Sequence, residues 1–397
     1  MMEKNAPFAP APKKLVPEIE FKNKAIYNAF TNPVPVEIYQ GTTIGLQMHG
    51  WPTICRGDGD TVYAAASLRM GHVDPFGATV FYVSEDGGNT WSAPRVINDT
   101  PFDDRDTGIV YMGNGKLLIT FFTIGVPQFL PGGSYYDLMW WFANDEQNLA
   151  KLKQWVKMPQ DQIRSGESYW YILSDDYGQT WSAPIKAPVT APHGPTIAND
   201  GSLIFLGGAS GNLELHRSVD SGRTWKYQAT VPTPQMENKE GTRYNFNEAY
   251  IVQLRDGSYL AGTRFEDINN SSDTLQVYIS HSKDGVNFTE AEPIEGQVGA
   301  PPHFLELSNG AIVLTYSYRG GREGDKNYGC RARVSYDGGY TWDEEIILSE
   351  CPFLDLGYPS TVELSDGTLL TAYYQAENEG EGGSLLYTKW RLNEPKN

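Results

Sequence analysis

The chain is poor in cysteine, in cations and in long apolar runs, and each shortage excludes something. Its three cysteines, Cys55, Cys330 and Cys351, are odd in number, far apart and form no CxxC, so neither a disulfide framework nor a zinc knuckle is expected. No stretch of 18 apolar residues occurs, and no membrane span is expected. Lys and Arg total 31 against 49 Asp and Glu, for a formal net charge of −18. That balance argues against nucleic-acid and anionic-membrane partners, which need basic patches. It leaves an acidic ligand open, because a few arginines in a cleft can bind a carboxylate. The six histidines match no metal-ligand spacing, and neither a metal nor a cofactor is expected. The start, MMEKNAPFAPAPKKLVPE, has basic residues but no apolar core. It does not read as a signal peptide, so the chain as written reads as cytoplasmic, or as secreted or periplasmic if a leader was removed.

What is present points to strands and turns. Aromatic residues make up 13% of the chain, and 41 Gly and 25 Pro are scattered without a period, a pattern of turns rather than of a fibrous or disordered chain. Six times an apolar run is followed by a polar-Gly turn and a second apolar run, at Asp58-Gly59, Asn114-Gly115, Asp200-Gly201, Asp256-Gly257, Asn309-Gly310 and Asp366-Gly367. Asn-Gly and Asp-Gly between such runs signal hairpins, through primed turns with positive φ at both central positions. The hairpins recur roughly every 55 residues, with one interval some 30 longer, as six four-stranded blades would. A second motif interleaves with them: SEDGGNTW from Ser84, SDDYGQTW from Ser174, SVDSGRTW from Ser218, SYDGGYTW from Ser335, and a shortened SKDGVNF from Ser282. This is the Asp-box, in which Asp accepts amides across a tight turn, Gly takes a φ other residues avoid, and Trp packs between strands. Only the sixth repeat lacks one.

These repeats predict an all-β fold, a six-bladed β-propeller over residues 34–397 after an N-terminal extension, 1–33. VPVEIYQG, residues 34–41, is the candidate to close the ring by joining the last blade. An insertion at about 126–165 falls in the second blade, where FANDEQNLAKLKQWVKM reads as a short helix after the aromatic cluster YYDLMWW. It is either a packing excursion on the rim or a lid over the cleft.

Over almost its full length the chain resembles the Asp-box exo-sialidases. In SLRMGHVDPFG, the family's spacing of an Arg at the first hairpin end and an acid five residues later gives Arg69 and Asp74. The resemblance makes Asp74 the general acid that protonates the departing oxygen, a role that needs a raised pKa. In NFNEAYIVQLRDGSYLAGTR it makes Glu248 the base and Arg264 a grip on the substrate carboxylate. In DLGYPSTVELSDGTLLTAYY it makes Tyr358 the nucleophile, activated by Glu248. A second carboxylate-binding arginine falls in NYGCRARVSYDGG, where Arg331 is preferred over Arg333.

The pattern departs at one point. Sialidases open blade one with Tyr-Arg-Ile-Pro, whose Arg completes the carboxylate site, whereas this chain has His49-Gly50-Trp51-Pro52. In FDDRDTG, Arg105 either replaces the lost arginine or belongs to a structural ladder with Asp104 and Asp106. His72 and His193 are added as substrate contacts, with His49 and His303 also near inner-strand ends. Three functions stay open. The first is an exo-acting retaining glycosidase for sialic acid or a related 2-keto acid sugar. The second is a hydrolase or lyase for a uronic-acid-containing glycan, and the third a noncatalytic carbohydrate- or protein-binding propeller. An acidic oligosaccharide or glycoconjugate is the expected partner.

Overall fold

The computed structural model describes residues 14–29, 31–38, 42–46, 48–130, 132–135, 166, 168–209, 212–235, 244–267, 275–320, 327–376 and 382–394. They form six four-stranded antiparallel sheets and one two-stranded hairpin. The fold is a six-bladed β-propeller. Its inner strands are Met48–Arg56, Asp103–Tyr111, Thr196–Ile197, Tyr244–Gln253, His303–Glu306 and Leu356–Glu363. Side-chain hydroxyls tie neighbouring inner strands together: Ser360 Oγ accepts the Ile54 amide at 3.2 Å, and Thr196 Oγ1 donates to the Ile251 carbonyl at 2.9 Å.

All six hairpin glycines have positive φ, from 62° at Gly59 to 93° at Gly257. The residue before them does so only at Asn114, so five of the six turns are not the expected primed type. In four of them the Asp or Asn turns its side chain inward instead, as Asp256 Oδ1 and Asn309 Oδ1 accept the amides of Ser258 and Ala311 at 2.9 and 3.0 Å, whereas Asp58 accepts from the Tyr111 hydroxyl. That local bond satisfies the turn without a strained φ at the Asp.

The Asp-boxes join the third and fourth strands of blades one to five. In each full copy the Ser and Thr hydroxyls and the Thr amide converge on the Asp, as Thr180 does on Asp176. Those bonds from Thr180 hold the Asp176 carboxyl at about 2. The sixth blade has no such turn because its fourth strand comes from the other end of the chain. Val16–Tyr27 pairs with Ser384–Asn393, from Val16 opposite Asn393 to Tyr27 opposite Leu385. The ring is therefore closed from within the segment read as an extension. Val34–Ile38, expected to close it, pairs with Thr42–Leu46 in a separate hairpin. Both segments are strand-competent, and only pairing with the open edge of the last blade distinguishes them.

The core lies between blades. VYAAASLR, the second strand of blade one, is buried along its whole length; Ala64 and Ala66 pack toward Leu370, Ala372 and Leu385 of blade six, and Ala65 toward Ile109 and Ile119 of blade two. Small side chains on a central strand let sheets covered on both faces come close. The described part of the insertion holds a 3-10 turn, Val126–Phe129, with Phe129 stacked on Tyr135 at 5.6 Å. The expected helix and the rest of the aromatic cluster lie outside the described residues. Among the described residues no helix is long and apolar enough to cross a membrane.

Candidate active site

Four inner strands carry the same defect. The ladder skips between Gly50 and Thr53, Arg105 and Gly108, Asn247 and Tyr250, and Gly357 and Ser360, so two residues face one on the partner strand. Each is a β-bulge, which re-aims a side chain. At the bulges stand Trp51, Asp106, Glu248 and Tyr358, with φ of 49°, 53°, 46° and 53°. Bulky residues are rarely held in the left-handed region, and such strain gathers at functional sites. Blades one, two, four and six thus present one residue each toward a common centre.

At that centre Tyr358 Oη donates to Glu248 Oε1 at 2.6 Å. Glu248 Oε2 accepts from Arg264 Nη1 at 2.8 Å, and Arg264 Nη2 reaches Glu266 Oε2 at 2.5 Å. Burial and the Glu248 charge push the Tyr358 phenol well above its ordinary value, against the Arg264 guanidinium. A free phenolate is therefore disfavoured, and Tyr358 reacts as a nucleophile only if its proton passes to Glu248 as the new bond forms. Asp106 is drawn up to about 7 by burial and then by Glu248, with Arg105 opposing.

Trp51 is flanked by two guanidinium groups, Arg69 and Arg105, each 4.3 Å from the ring centroid. Arg69 is fully buried and bonded to Asp103 Oδ1 at 2.6 Å, so it supports the site rather than meeting a ligand. Arg105 has the same acid at 3.7 Å and donates to the His72 carbonyl at 3.1 Å. Asp104 turns away to Asn98 and Thr100, so the alternative ladder of Asp104, Arg105 and Asp106 does not form.

Asp74 is placed differently from its expected role. It is fully buried, and its two oxygens accept the Met70 and Phe76 amides. Burial lifts its carboxyl to about 6, against the pull of Arg69 and those amides. The raised value suits a general acid, but the group braces its own loop. The loop instead presents His72, which packs edge-on against Trp51 at 5.2 Å and meets Asp355 Oδ1 through Nδ1 at 2.9 Å.

Arg331 also falls outside the site. It lies on the third strand of blade five, 1% exposed, and donates to the carbonyls of Ser349 at 2.7 Å and Asn327 at 2.5 Å. Period two gives its face correctly, but a third strand stands two strands away from the channel. The arginine at the centre is Arg319, just past the second strand of the same blade. Its guanidinium lies 5.5 Å from the Tyr358 ring centroid and donates to the Leu356 carbonyl at 2.6 Å.

One layer further along the inner strands, two positions past the bulges, come Thr53, Gly108, Tyr250 and Ser360. His193 bonds Thr53 Oγ1 at 3.0 Å, and His303 bonds Ser360 Oγ at 3.3 Å and stacks on Tyr250 at 4.6 Å. Gly108 has no substitute here, because a Cβ would stand 2.4 Å from the Gly194 amide nitrogen. Burial pushes both imidazoles down, His303 to about 3, so they stay neutral. They line the channel floor beneath Tyr358, with ring centroids of His193 and Tyr358 6.4 Å apart. His49 is buried against Tyr82 Oη at 2.6 Å, away from the centre. Among the described residues no group of three His, Cys, Asp or Glu side chains is placed to hold a metal.

Asp106 and Arg319 were both legible in principle. Asp106, Glu248 and Tyr358 each stand nine positions before a hairpin glycine, Gly115, Gly257 and Gly367. Arg69 ends a second strand, Arg264 lies in the last half of one and Arg319 follows one, in SLRM, AGTR and SYRG.

The BNR repeat-like domain family matches residues 150–371, more than half of the sequence. The chain belongs to the BNR repeat-like domain family. No curated protein matches it in sequence. Among solved structures, this BNR-repeat propeller is similar to a protein of unknown function from Dyadobacter fermentans, with 21% identity and TM-score 0.69, covering 95% of this chain and 99% of that one. It is similar to the NanB sialidase of Streptococcus pneumoniae, with 16% identity, TM-score 0.61 and coverage of 91% and 71%. It is also similar to the intramolecular trans-sialidase of Ruminococcus gnavus, with 16% identity, TM-score 0.57 and coverage of 88% and 96%. At these identities the likeness is one of fold.

Proposed function

We propose that the protein is a retaining glycoside hydrolase that releases a terminal acidic sugar, with Tyr358 as nucleophile and Glu248 as its base. The observation that carries this reading is the 2.6 Å bond from the Tyr358 phenol to a carboxylate that Arg264 holds in place. Tyr358 Oη attacks the anomeric carbon as its proton passes to Glu248, and the bond to the departing oxygen breaks. Water then releases the sugar and Tyr358 recovers its proton. A neutral phenol suits a carbon that bears a carboxylate, since it adds no like charge to the attack.

Arg319 and Arg105 are the cations best placed to receive that carboxylate, because Arg264 is already held by Glu248 and Glu266. Trp51 stands near where the sialidases' first arginine is expected, and this favours a sugar acid whose carboxylate lies differently from that of ordinary sialic acid. Wild type and Tyr358→Phe are to be assayed on aryl glycosides of sialic and glucuronic acids, with mass spectrometry of quenched reactions. Turnover lost in the variant, and a sugar adduct on the Tyr358 peptide of wild type, support the reading. Turnover that survives the substitution removes Tyr358 from the chemistry, and inert wild type points to a binding propeller.

A further inference from the structure

The departing oxygen needs a proton, and Asp74 is sealed inside its loop. A half-exposed acid–base group stands beside Trp51: His72, whose side chain is 47% exposed. Its Nδ1 is bonded to Asp355, and Asp355 also accepts from Tyr374 Oη at 2.8 Å. The His72 carbonyl is gripped by Arg69 Nη1 at 3.3 Å and Arg105 Nη2 at 3.1 Å, and its ring rests on Trp51. Position and orientation are thus fixed by residues on blades one, two and six. With Nδ1 engaged by a carboxylate, Nε2 is left as the atom that exchanges a proton.

We propose that His72, oriented by Asp355, is the proton donor and acceptor of the glycosidic step, and that Asp74 shapes the loop that carries it. This rests on the glycosidase reading above. In the first half, imidazolium Nε2 gives its proton to the glycosidic oxygen as the carbon–oxygen bond breaks and Tyr358 Oη bonds to the anomeric carbon. In the second, neutral Nε2 takes a proton from the attacking water, the Tyr358 carbon–oxygen bond breaks, and Glu248 returns the phenol proton. Asp106 is the competing donor, but it stands on the blade-two bulge within reach of the Glu248 charge, on the side of the base, whereas His72 is half exposed. The charged and titratable groups around His72 are Asp355 on its ring, Arg319 and Tyr374 behind Asp355, and Arg69 and Arg105 on its carbonyl.

The test is leaving-group dependence. His72→Gln, Asp355→Asn, Asp74→Asn and Asp106→Asn are compared with wild type on the methylumbelliferyl and lactosyl glycosides of sialic acid. If wild type turns over neither, the methylumbelliferyl and methyl glucuronides are used. A phenolic leaving group departs with little help, whereas a sugar alcohol needs the proton. His72→Gln is expected to slow the alcohol leaving group by about a hundredfold or more and the phenolic one by less than about tenfold, in line with general acid catalysis. Asp355→Asn gives the same asymmetry in smaller degree, and Asp74→Asn lowers stability and slows both substrates alike. Equal slowing of both by His72→Gln, or the asymmetry appearing in Asp74→Asn or Asp106→Asn instead, overturns the assignment while the glycosidase reading stands. Wild type inert on all four substrates overturns both.

Discussion

Tyr358 and Glu248 are 110 positions apart in sequence, yet both stand at a β-bulge with positive φ, and their side chains meet at 2.6 Å. Two blades make the same backbone departure so that a phenol and a carboxylate converge across the channel. Replacing Glu248 with Gln keeps the shape and removes the base. It is expected to lower kcat by about 10²- to 10⁴-fold, the usual weight of a positioned base, with a near-wild-type Tm; unchanged kcat would mean that Tyr358 needs no base.

Arg319 and Arg331 divide function from stability. Arg319→Ala is expected to raise KM for an acidic glycoside by about tenfold or more, the loss of one charge-assisted contact, with little change in Tm. Arg331→Ala removes a buried guanidinium with backbone acceptors and the Glu345 carboxylate beside it. It is expected to cost about 3 kcal/mol of stability, with KM unchanged in the protein that folds. Thermal denaturation and steady-state kinetics on the same preparations separate the two.

Asp106 makes stability depend on pH. Its folded pKa of about 7 lies above the ordinary 3.8, from burial and the Glu248 charge. The folded state therefore binds the extra proton, and this contribution is full below about pH 4 and lost as pH rises through 7. Asp106→Asn resembles the protonated form at every pH. The Tm of the variant minus that of wild type is expected to be near zero at pH 4, to grow through pH 5 and 6, and to be largest at pH 8; a flat difference would show that folded Asp106 is already ionised across that range.

The closing strand carries the ring. Deleting residues 1–27 exposes the edge of Ser384–Asn393 and is expected to lower Tm sharply and promote association through that edge. Breaking the separate hairpin with Val36→Pro is expected to leave Tm nearly unchanged. Differential scanning calorimetry and light scattering on the two variants test this, and the opposite ranking would return the closing role to residues 34–38.

The repeats were legible because their causes are local. A hairpin glycine needs its own φ, and an Asp-box closes within seven or eight residues, so six blades could be counted without any tertiary information. Glu248, Arg264 and Tyr358 were legible through the resemblance to sialidases, because each sits at a fixed offset from a hairpin. Asp74 shows the limit: its spacing from Arg69 is right, but the loop folds its carboxylate inward onto two amides, and no spacing reports which way a loop turns.

By itself, then, the sequence determined the blade count, the Asp-box turns and the positions of the hairpins, since these follow from residue type and short-range periodicity. Tertiary structure decided which arginine reaches the centre, which N-terminal strand closes the ring, and that Asp74 is buried while His72 is half exposed. Those outcomes depend on which strand of a blade a residue occupies, which edge is left unpaired and how far a side chain is buried. All three are settled only when distant blades pack around one axis.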